Sequence, residues 1–151
     1  MSSYTVGKSQ EEVTIVGKPS DTRAKDIESI KALKMNYWRC TDNKLWDKVG
    51  ECFAEDAVID YPNGVFRGRQ AIANSMKQTL SHGPVAHEGR NLGIEMTGDT
   101  SARGSWQADV SMTDPRTGVP LKLRTSYDDE YVKLGDSWLI RSSRMTMMPP
   151  A

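Results

Sequence analysis

The stretch Ile27–Asp42, IESIKALKMNYWRCTD, constrains the fold of this chain more than any other. With 3.6 residues per turn, one side of a helix over this stretch carries a mostly apolar stripe: Ile27, Ile30, Lys34, Tyr37, Trp38 and Thr41. Such a stripe is typical of a helix that packs on a core. We therefore predict a helix that has Asp26 as its N-cap and runs to about Arg39, with the carboxylate of Asp42 just beyond its end.

The rest of the chain predicts two further helices, a hairpin and four long strands. The helices cover Leu45–Cys52 and Arg69–Leu80, the hairpin joins Val58–Tyr61 to Val65–Gly68, and the long strands cover Val85–Met96, Ala102–Met112, Val119–Leu134 and Trp138–Met147. Helices that come early and antiparallel strands that come late indicate an α+β domain. We expect three helices to cover one face of a strongly curved, antiparallel or mixed sheet, which forms a cone with one pocket at its open end.

The N-terminal residues differ in character from the rest. Residues 1–25 are polar apart from Val13–Val16, which can form a short strand. We expect a flexible or partner-contacting arm over residues 1–25, followed by one domain over residues 26–151. A chain of 151 residues has the size of a single domain.

Charge and cysteine content exclude several classes of function. The chain has 20 basic and 20 acidic residues and no basic block, so we expect no nucleic acid as a partner. No apolar run approaches the ~20 residues that span a bilayer, and the first residues lack the apolar region of a secretory signal. We therefore expect a cytoplasmic protein that does not bind membranes, with Cys40 and Cys52 reduced.

Motifs for phosphate binding, for zinc and for a serine nucleophile are absent from the sequence. It contains no GxGxxG, GxxxxGK[ST] or GxSxG, and its two histidines and two cysteines lack the spacing of metal ligands. We therefore expect neither a cofactor nor a metal. If the chain is an enzyme, the residues that remain suit proton transfer.

His87 is the best candidate for a general base, because a histidine changes its charge near neutral pH. Asp42 is the carboxylate that we expect to fix the tautomer of its ring. The alternative is a structural histidine that contacts the backbone of a sheet.

The strand that carries His87 leaves the direction of its side chain open. Leu92, Ile94 and Met96 alternate out of step with His87. Either His87 faces away from these apolar residues, or a bulge at one of the nearby glycines, Gly89 or Gly93, changes the register between them.

Tyr37 lies on the buried side of the predicted helix, where its hydroxyl requires a partner. It can donate a proton or a hydrogen bond to a substrate carbonyl; the alternative is a core residue with a backbone partner. We assign Trp38, Tyr61, Trp106 and Val110 to the wall of the pocket.

Arg141 shares the strand periodicity of Leu139, Met145 and Met147, so it can be a lone charge that lines the pocket. The alternative is an arginine that is paired at the surface or at an interface. The polar residues of Ala102–Met112 alternate with apolar or small ones, and we therefore expect Asp109 to face outward.

The run Ile30–Ile72 resembles the N-terminal half of the SnoaL-like branch of the NTF2-like superfamily, and the likeness covers about residues 26–147. Members of this branch are α+β cones with a deep pocket, often dimeric or trimeric. The run Tyr37–Asp42 is similar to that of the bile-acid 7α-dehydratases, and His87–Leu92 resembles the catalytic-histidine strand of hexachlorocyclohexane dehydrochlorinase. Scytalone dehydratase is a more distant relative of the same design.

This resemblance implies that His87 is the base, that Asp42 orients it, and that Tyr37 is an acid or a carbonyl anchor. Two positions depart from the relatives. Val110 stands where the bile-acid dehydratases have a further aspartate, and Ser143 stands where the dehydrochlorinase has an arginine.

The resemblance further implies a cofactor-independent lyase of the dehydratase type, or an isomerase, that acts on a hydrophobic, polycyclic or steroid-like small molecule as a homodimer or homotrimer. The alternative is a non-catalytic ligand-binding or assembly subunit of the same fold, as in the small subunits of ring-hydroxylating dioxygenases. Epoxide hydrolysis is a third interpretation, but it requires several carboxylates and an arginine around a water, and only Asp42 is placed for it.

Overall fold

The computed structural model describes residues 20–149 of the chain. They form three helices and six strands: α1 (Ser20–Asp42), α2 (Trp46–Glu51), β1 (Phe53–Tyr61), β2 (Gly64–Arg67), α3 (Arg69–Leu80), β3 (Ala86–Met96), β4 (Ser101–Thr113), β5 (Pro120–Leu134) and β6 (Ser137–Met147). The order of elements is the predicted one. Strand β1 begins at Phe53 rather than at Val58, because pairing of Phe53 with Ile140 extends the strand.

All six strands belong to one mixed sheet, in the order β2-β1-β6-β5-β4-β3. Strands β1 and β6 are parallel, and the other neighbouring strands are antiparallel. Helix α1 packs on β3 and β6, and α3 packs on β1 and β2. The helices therefore lie over one face of the sheet, and the predicted α+β architecture is confirmed.

Alternation along β4 gives the sheet one buried and one exposed face. The even-numbered residues from Ala102 to Val110 are buried, whereas Asp109 is exposed as predicted. Cys40 and Cys52 are buried as free thiols in the core between the helices and the sheet. Burial raises the pKa of the Cys52 thiol to about 11, so this thiol stays protonated near neutral pH.

Helix α1 already includes Ser20, so the prediction that Asp26 caps it is wrong. Asp26 lies inside the helix, where its Oδ1 accepts hydrogen bonds from Lys133 Nζ at 3.2 Å and from Trp138 Nε1 at 3.0 Å. Its carboxylate therefore binds the sheet rather than the helix end.

Residues 20–25 are helical, and the rest of the predicted arm, with the strand over Val13–Val16, lies outside the described residues. No helix within residues 20–149 is long and apolar enough to cross a membrane.

A bulge in β3 explains why His87 is out of step with the apolar residues that follow it. The pairing with β4 shifts between Asn91 and Gly93, so Leu92 is left without a partner in the ladder and is exposed. The shift reverses the alternation of side chains. His87 therefore lies on the same face as Ile94, which packs against the core. Of the two arrangements that the sequence left open, the bulge is the one observed.

Candidate active site

The side chains of His87 and Asp42 are in direct contact. His87 Nδ1 lies 2.6 Å from Asp42 Oδ1, and the backbone N–H of His87 donates to Asp42 Oδ2 at 3.0 Å. Both carboxylate oxygens thus contact one residue. A carboxylate at Nδ1 favours the neutral tautomer with its proton on that nitrogen, which leaves a lone pair on Nε2.

The ends of two elements bring this pair together. Asp42 is the last residue of α1, and His87 is the second residue of β3, on which α1 packs. The side chain of His87 is 8% exposed and that of Asp42 is 24% exposed. Among residues 20–149 no group forms a hydrogen bond with His87 Nε2, so this nitrogen is available to a ligand.

His87 lines a cavity of about 80 Å³ between the helices and the sheet. The other described residues of its wall are uncharged: Tyr37, Tyr61, Asn63, Ser75, Met76, Thr79, Leu80, Val110, Met112, Leu123, Thr125, Tyr127 and Met145. Pockets that enclose drug-sized ligands have volumes of about 300–1,000 Å³, so this cavity is small. Across residues 20–149 no three His, Cys, Asp or Glu side chains are grouped as metal ligands.

Three tyrosines line this cavity, and the oxygen–oxygen contacts of their hydroxyls are long. The Tyr37 and Tyr61 oxygens are 3.5 Å apart, Tyr61 lies 3.3 Å from Ser143 Oγ, and the Tyr127 hydroxyl lies 3.2 Å from Thr125 Oγ1. Strong O–H···O hydrogen bonds have lengths of about 2.7–2.8 Å. Each of these hydroxyls therefore retains capacity to bind a ligand oxygen.

Burial keeps these tyrosines protonated, because a phenolate loses its hydration inside the protein. Desolvation raises the pKa of Tyr127 to about 12. It also raises the pKa of Tyr37 and of Tyr61 well above the usual value of 10.0. The wall of the cavity thus combines neutral tyrosine side chains with an imidazole.

Two of the predicted pocket residues, Tyr61 and Val110, line the cavity, whereas Trp38 and Trp106 lie behind its wall. The indole of Trp38 stacks on the imidazole of His87, with centroids 5.8 Å apart and planes inclined by 15°. Trp106 packs edge-on against Trp38. The tryptophans therefore support residues of the wall and do not face its interior.

Arg141 does not line the cavity, and its assignment to the pocket is wrong. The pairing of β6 with β5 shifts between Ile140 and Ser142, which leaves Arg141 as an extra residue in a bulge. Its side chain is exposed. Because the bulge changes the alternation along β6, the buried Ser143 lies on the inner face instead.

Lys34 and Asp129 form a buried ion pair that was not among the predicted site residues. Lys34 Nζ lies 2.8 Å from Asp129 Oδ2, and both side chains are 0% exposed. The same nitrogen lies 4.3 Å from the ring centroid of Tyr127. Desolvation lowers the pKa of Lys34, and the charge of Asp129 opposes this shift only in part. A lysine within an otherwise apolar stripe is the signal in the sequence, since a buried ammonium requires a buried partner.

Thr125 and Tyr127 of β5 also lie at the cavity without having been predicted there. Along β5 the alternate residues Thr125, Tyr127, Asp129 and Tyr131 are buried. Their alternation with Arg124, Ser126, Asp128 and Glu130 was the available signal. It was weak, because these inward-facing residues are themselves polar and the strand therefore lacks a clear apolar face.

A larger concavity, of about 1040 Å³, lies on the other face of the sheet. Charged side chains of both signs line it, including Asp60, Glu95, Arg103, Asp128 and Arg144. Within the described part of the chain, none of the residues predicted to transfer protons lines this groove. The candidate active site is therefore the smaller cavity that contains His87.

Solved structures share this fold. LinA-type3, a hexachlorocyclohexane dehydrochlorinase from Novosphingobium barchaimii LL02, has a TM-score of 0.79 at 14% identity, over 87% of this chain and 92% of that one. A candidate scytalone dehydratase from Novosphingobium aromaticivorans DSM 12444 has a TM-score of 0.78 at 18% identity, over 87% of this chain and 89% of that one. A ketosteroid isomerase-like protein from Erwinia carotovora atroseptica SCRI1043 has a TM-score of 0.72 at 16% identity, over 82% of this chain and 96% of that one. At these identities the likeness shows the fold.

Sequence comparison identifies the family. The uncharacterised protein Rv2910c of Mycobacterium tuberculosis is 30% identical over 119 residues, which are 76% of this chain and 80% of that protein. The model of the SnoaL-like domain matches residues 22–144. The resemblance noted in the sequence is thereby confirmed, and the chain belongs to the SnoaL-like domain family.

Proposed function

We propose that this protein is a cofactor-independent lyase of the dehydratase type, in which His87 is the general base and Asp42 orients it. The observation that carries this proposal is the 2.6 Å contact between His87 Nδ1 and Asp42 Oδ1, at a cavity whose other wall residues are uncharged. The dehydrochlorinase, the candidate dehydratase and the isomerase-like protein of the same fold support this class of chemistry.

In the proposed reaction, neutral His87 removes a proton through Nε2 from the carbon next to a substrate carbonyl. Asp42 stabilises the imidazolium that forms. Base catalysis of this kind contributes about 10²–10⁴-fold to the rate, and the rest comes from holding the substrate in the correct orientation in a cavity that excludes water.

In this proposal the Tyr37 hydroxyl donates a hydrogen bond to the carbonyl oxygen of the substrate. Its raised pKa makes it a poor proton donor but preserves a neutral hydroxyl that can donate a hydrogen bond. The described partners of its hydroxyl are weak, because the Tyr61 oxygen is 3.5 Å away and the acceptor at 3.6 Å is the thioether sulfur of Met76. A carbonyl oxygen that gains negative charge in the transition state would be a stronger partner than either.

The second half of the reaction restores the base. The electron pair left on the deprotonated carbon forms the new C=C bond and expels the hydroxyl group on the next carbon. The His87 imidazolium returns its proton to that departing oxygen, so that one water molecule leaves and the imidazole is neutral again. A double-bond isomerase would require the same base, and would return the proton to another carbon.

The cavity favours a small neutral substrate. An uncharged wall provides no partner for a carboxylate or a phosphate, whose burial without a partner is costly. A volume of about 80 Å³ is too small for a polycyclic skeleton unless the wall moves. We therefore propose short-chain or single-ring β-hydroxyketones as the substrate class.

The direct test is a panel of such β-hydroxyketones, followed by the absorbance of the conjugated enone and by mass spectrometry for loss of water. Wild-type protein is expected to convert at least one of them. His87→Gln and Asp42→Asn are expected to lower turnover by about 10²–10⁴-fold. His82→Gln is the matched control, because His82 Nε2 lies 2.9 Å from the Gln78 backbone oxygen at the end of α3, away from the cavity wall.

Turnover that survives His87→Gln would contradict the proposed base. A moved double bond without loss of water would assign the protein to the isomerases instead. If the protein converts no member of the panel, the assignment of this substrate class is wrong.

A further inference from the structure

We propose that Trp38 is a positioning residue that fixes the plane of the His87 imidazole, and that it can do so because Gly89 has no side chain. This inference rests on the proposed role of His87 as a base. It adds a second constraint on the ring, independent of its contact with Asp42.

One turn of helix α1 provides both constraints. Trp38 and Asp42 are four residues apart, which places them on the same side of the helix. Asp42 contacts the ring edge at Nδ1, while the indole of Trp38 lies against the ring face, with planes inclined by 15°. The helix thus contacts both an edge and a face of the same imidazole.

Gly89 makes room for the indole beneath β3. His87 and Gly89 are two residues apart on the strand and therefore face the same side of the sheet. A Cβ atom on Gly89 would lie 2.0 Å from Trp38 Cζ3 and 2.6 Å from Cη2, which is far closer than van der Waals contact allows. The six-membered ring of the indole therefore occupies the space that any other residue at position 89 would fill.

Other buried side chains pack against the indole and hold it in this position. Trp106 and Tyr127 pack against it edge-on, each with centroids 5.5 Å from it, and Lys34 Nζ lies 5.0 Å from its ring centroid. Trp38 is only 2% exposed. A side chain added at Gly89 therefore requires the indole to move from its position against His87.

The consequence for catalysis is geometric. A hydrogen bond at Nδ1 fixes one point of the imidazole but allows the ring to rotate about that contact. The stacked indole restricts this rotation. Because the Nε2 lone pair lies in the ring plane, the indole determines the direction in which His87 can remove a proton.

The test compares Gly89→Ala, Trp38→Leu and Trp106→Phe by NMR of the ligand-free protein, with His82→Gln in every background so that one histidine remains. Protons above an indole are shifted upfield, and we expect this shift for the His87 ring protons in the parent protein. Gly89→Ala and Trp38→Leu should both remove it. Trp106→Phe, which disturbs the same core without touching His87, should retain it.

Adding Trp38→Phe to Gly89→Ala provides the rescue. The shorter phenyl ring leaves space for the alanine Cβ and can still stack, so the double variant should recover part of the upfield shift. On a substrate, Gly89→Ala should lower kcat by about 10²-fold, as misplacement of a catalytic group does, with little change in KM.

His87 ring shifts that are the same in the parent protein, Gly89→Ala and Trp38→Leu would overturn the proposal. If Gly89→Ala does not fold, the shifts of Trp38→Leu against Trp106→Phe decide whether the indole stacks on His87, and the kcat values of the same two variants decide whether this stacking positions the base. Because the NMR readout needs no turnover, it tests the stacking of Trp38 on His87 even if the proposed reaction is wrong, whereas the change in kcat tests whether this stacking positions the base.

Discussion

Asp42 contacts His87 through both of its carboxylate oxygens, one at the imidazole and one at the backbone N–H. The same carboxylate therefore positions the side chain and the strand that carries it. This arrangement ties the end of α1 to the start of β3. The orientation of the imidazole is thus determined by how two elements pack, and not by a flexible loop.

Tyr37→Phe should lower turnover while leaving the fold intact. The hydroxyl makes only long contacts, at 3.5 Å with Tyr61 and 3.6 Å with Met76 Sδ, so its loss should change the free energy of unfolding by less than about 1 kcal/mol. The loss of a donor to the substrate carbonyl should lower kcat about 10²-fold. Urea unfolding and steady-state kinetics measure the two effects, and an unchanged kcat would remove Tyr37 from the mechanism.

Tyr131→Phe should lower the stability of the protein but leave turnover unchanged. The Tyr131 hydroxyl donates to Asp129 Oδ2 and accepts from Trp106 Nε1, both at 2.8 Å. Its loss leaves buried polar groups without this partner and should lower the free energy of unfolding by about 1–3 kcal/mol. Because Tyr131 does not line the cavity, kcat should be retained. A large loss of kcat in the folded variant would show that the site extends beyond the cavity.

Lys34→Met should strongly destabilise the protein, because it leaves the Asp129 carboxylate buried without its cation. Breaking a buried pair in this way costs about 3–5 kcal/mol. Adding Asp129→Asn, which removes the charge but keeps an acceptor for Tyr131, should recover most of the loss. Lys31→Met is the control, since Lys31 forms an exposed pair with Glu28 at 3.6 Å, and such pairs contribute about 0–1 kcal/mol.

Urea unfolding of the four proteins measures these differences. Similar destabilisation by Lys34→Met and Lys31→Met would contradict the importance of the buried pair. So would a double variant that is less stable than Lys34→Met alone.

Tyr127 should make the protein less stable at alkaline pH. Its pKa is about 12 in the folded protein, against 10.0 for an unperturbed tyrosine. The folded state therefore holds the proton more tightly, and this contribution is complete below pH 10 and is lost as the pH rises towards 12. In that interval the folded state binds one proton more than the unfolded state at this residue. The free energy of unfolding therefore falls by about 1.4 kcal/mol for each unit by which the pH rises.

Tyr127→Phe should reduce the alkaline slope by this amount. The experiment is urea unfolding of both proteins from about pH 9 to about pH 11, where the difference between them isolates Tyr127 from the other tyrosines. Parallel curves for the two proteins would contradict the predicted proton linkage.

The fold could be predicted from the sequence because its elements carry strong local signals. The stripe of α1 and the alternation of β4 determine which faces are buried, and Pro62-Asn63-Gly64 marks the hairpin between β1 and β2. The resemblance to SnoaL-like domains implied the same α+β architecture, but the order of the strands was not predicted. Asp26 was misassigned because the same carboxylate that can cap a helix can also bind a distant lysine and indole.

Details of the site depended on contacts that have no local signal. The bulge at Arg141 places this residue outside, because the register of β6 depends on its pairing with β5. The bulge after Asn91 could be inferred only as one of two possibilities. The pairing of Lys34 with Asp129 joins residues 95 positions apart. The contact of Trp38 with Gly89 depends on how α1 packs on β3.

The most direct test of the central claim is ¹⁵N NMR of the imidazole nitrogens in the neutral ring, with His82→Gln to assign the signals of His87. A base oriented by Asp42 predicts that neutral His87 holds its proton on Nδ1 and presents a lone pair at Nε2. Asp42→Asn should abolish this preference. Signals typical of a free imidazole, unchanged by Asp42→Asn, would contradict the claim that Asp42 prepares His87 as a base.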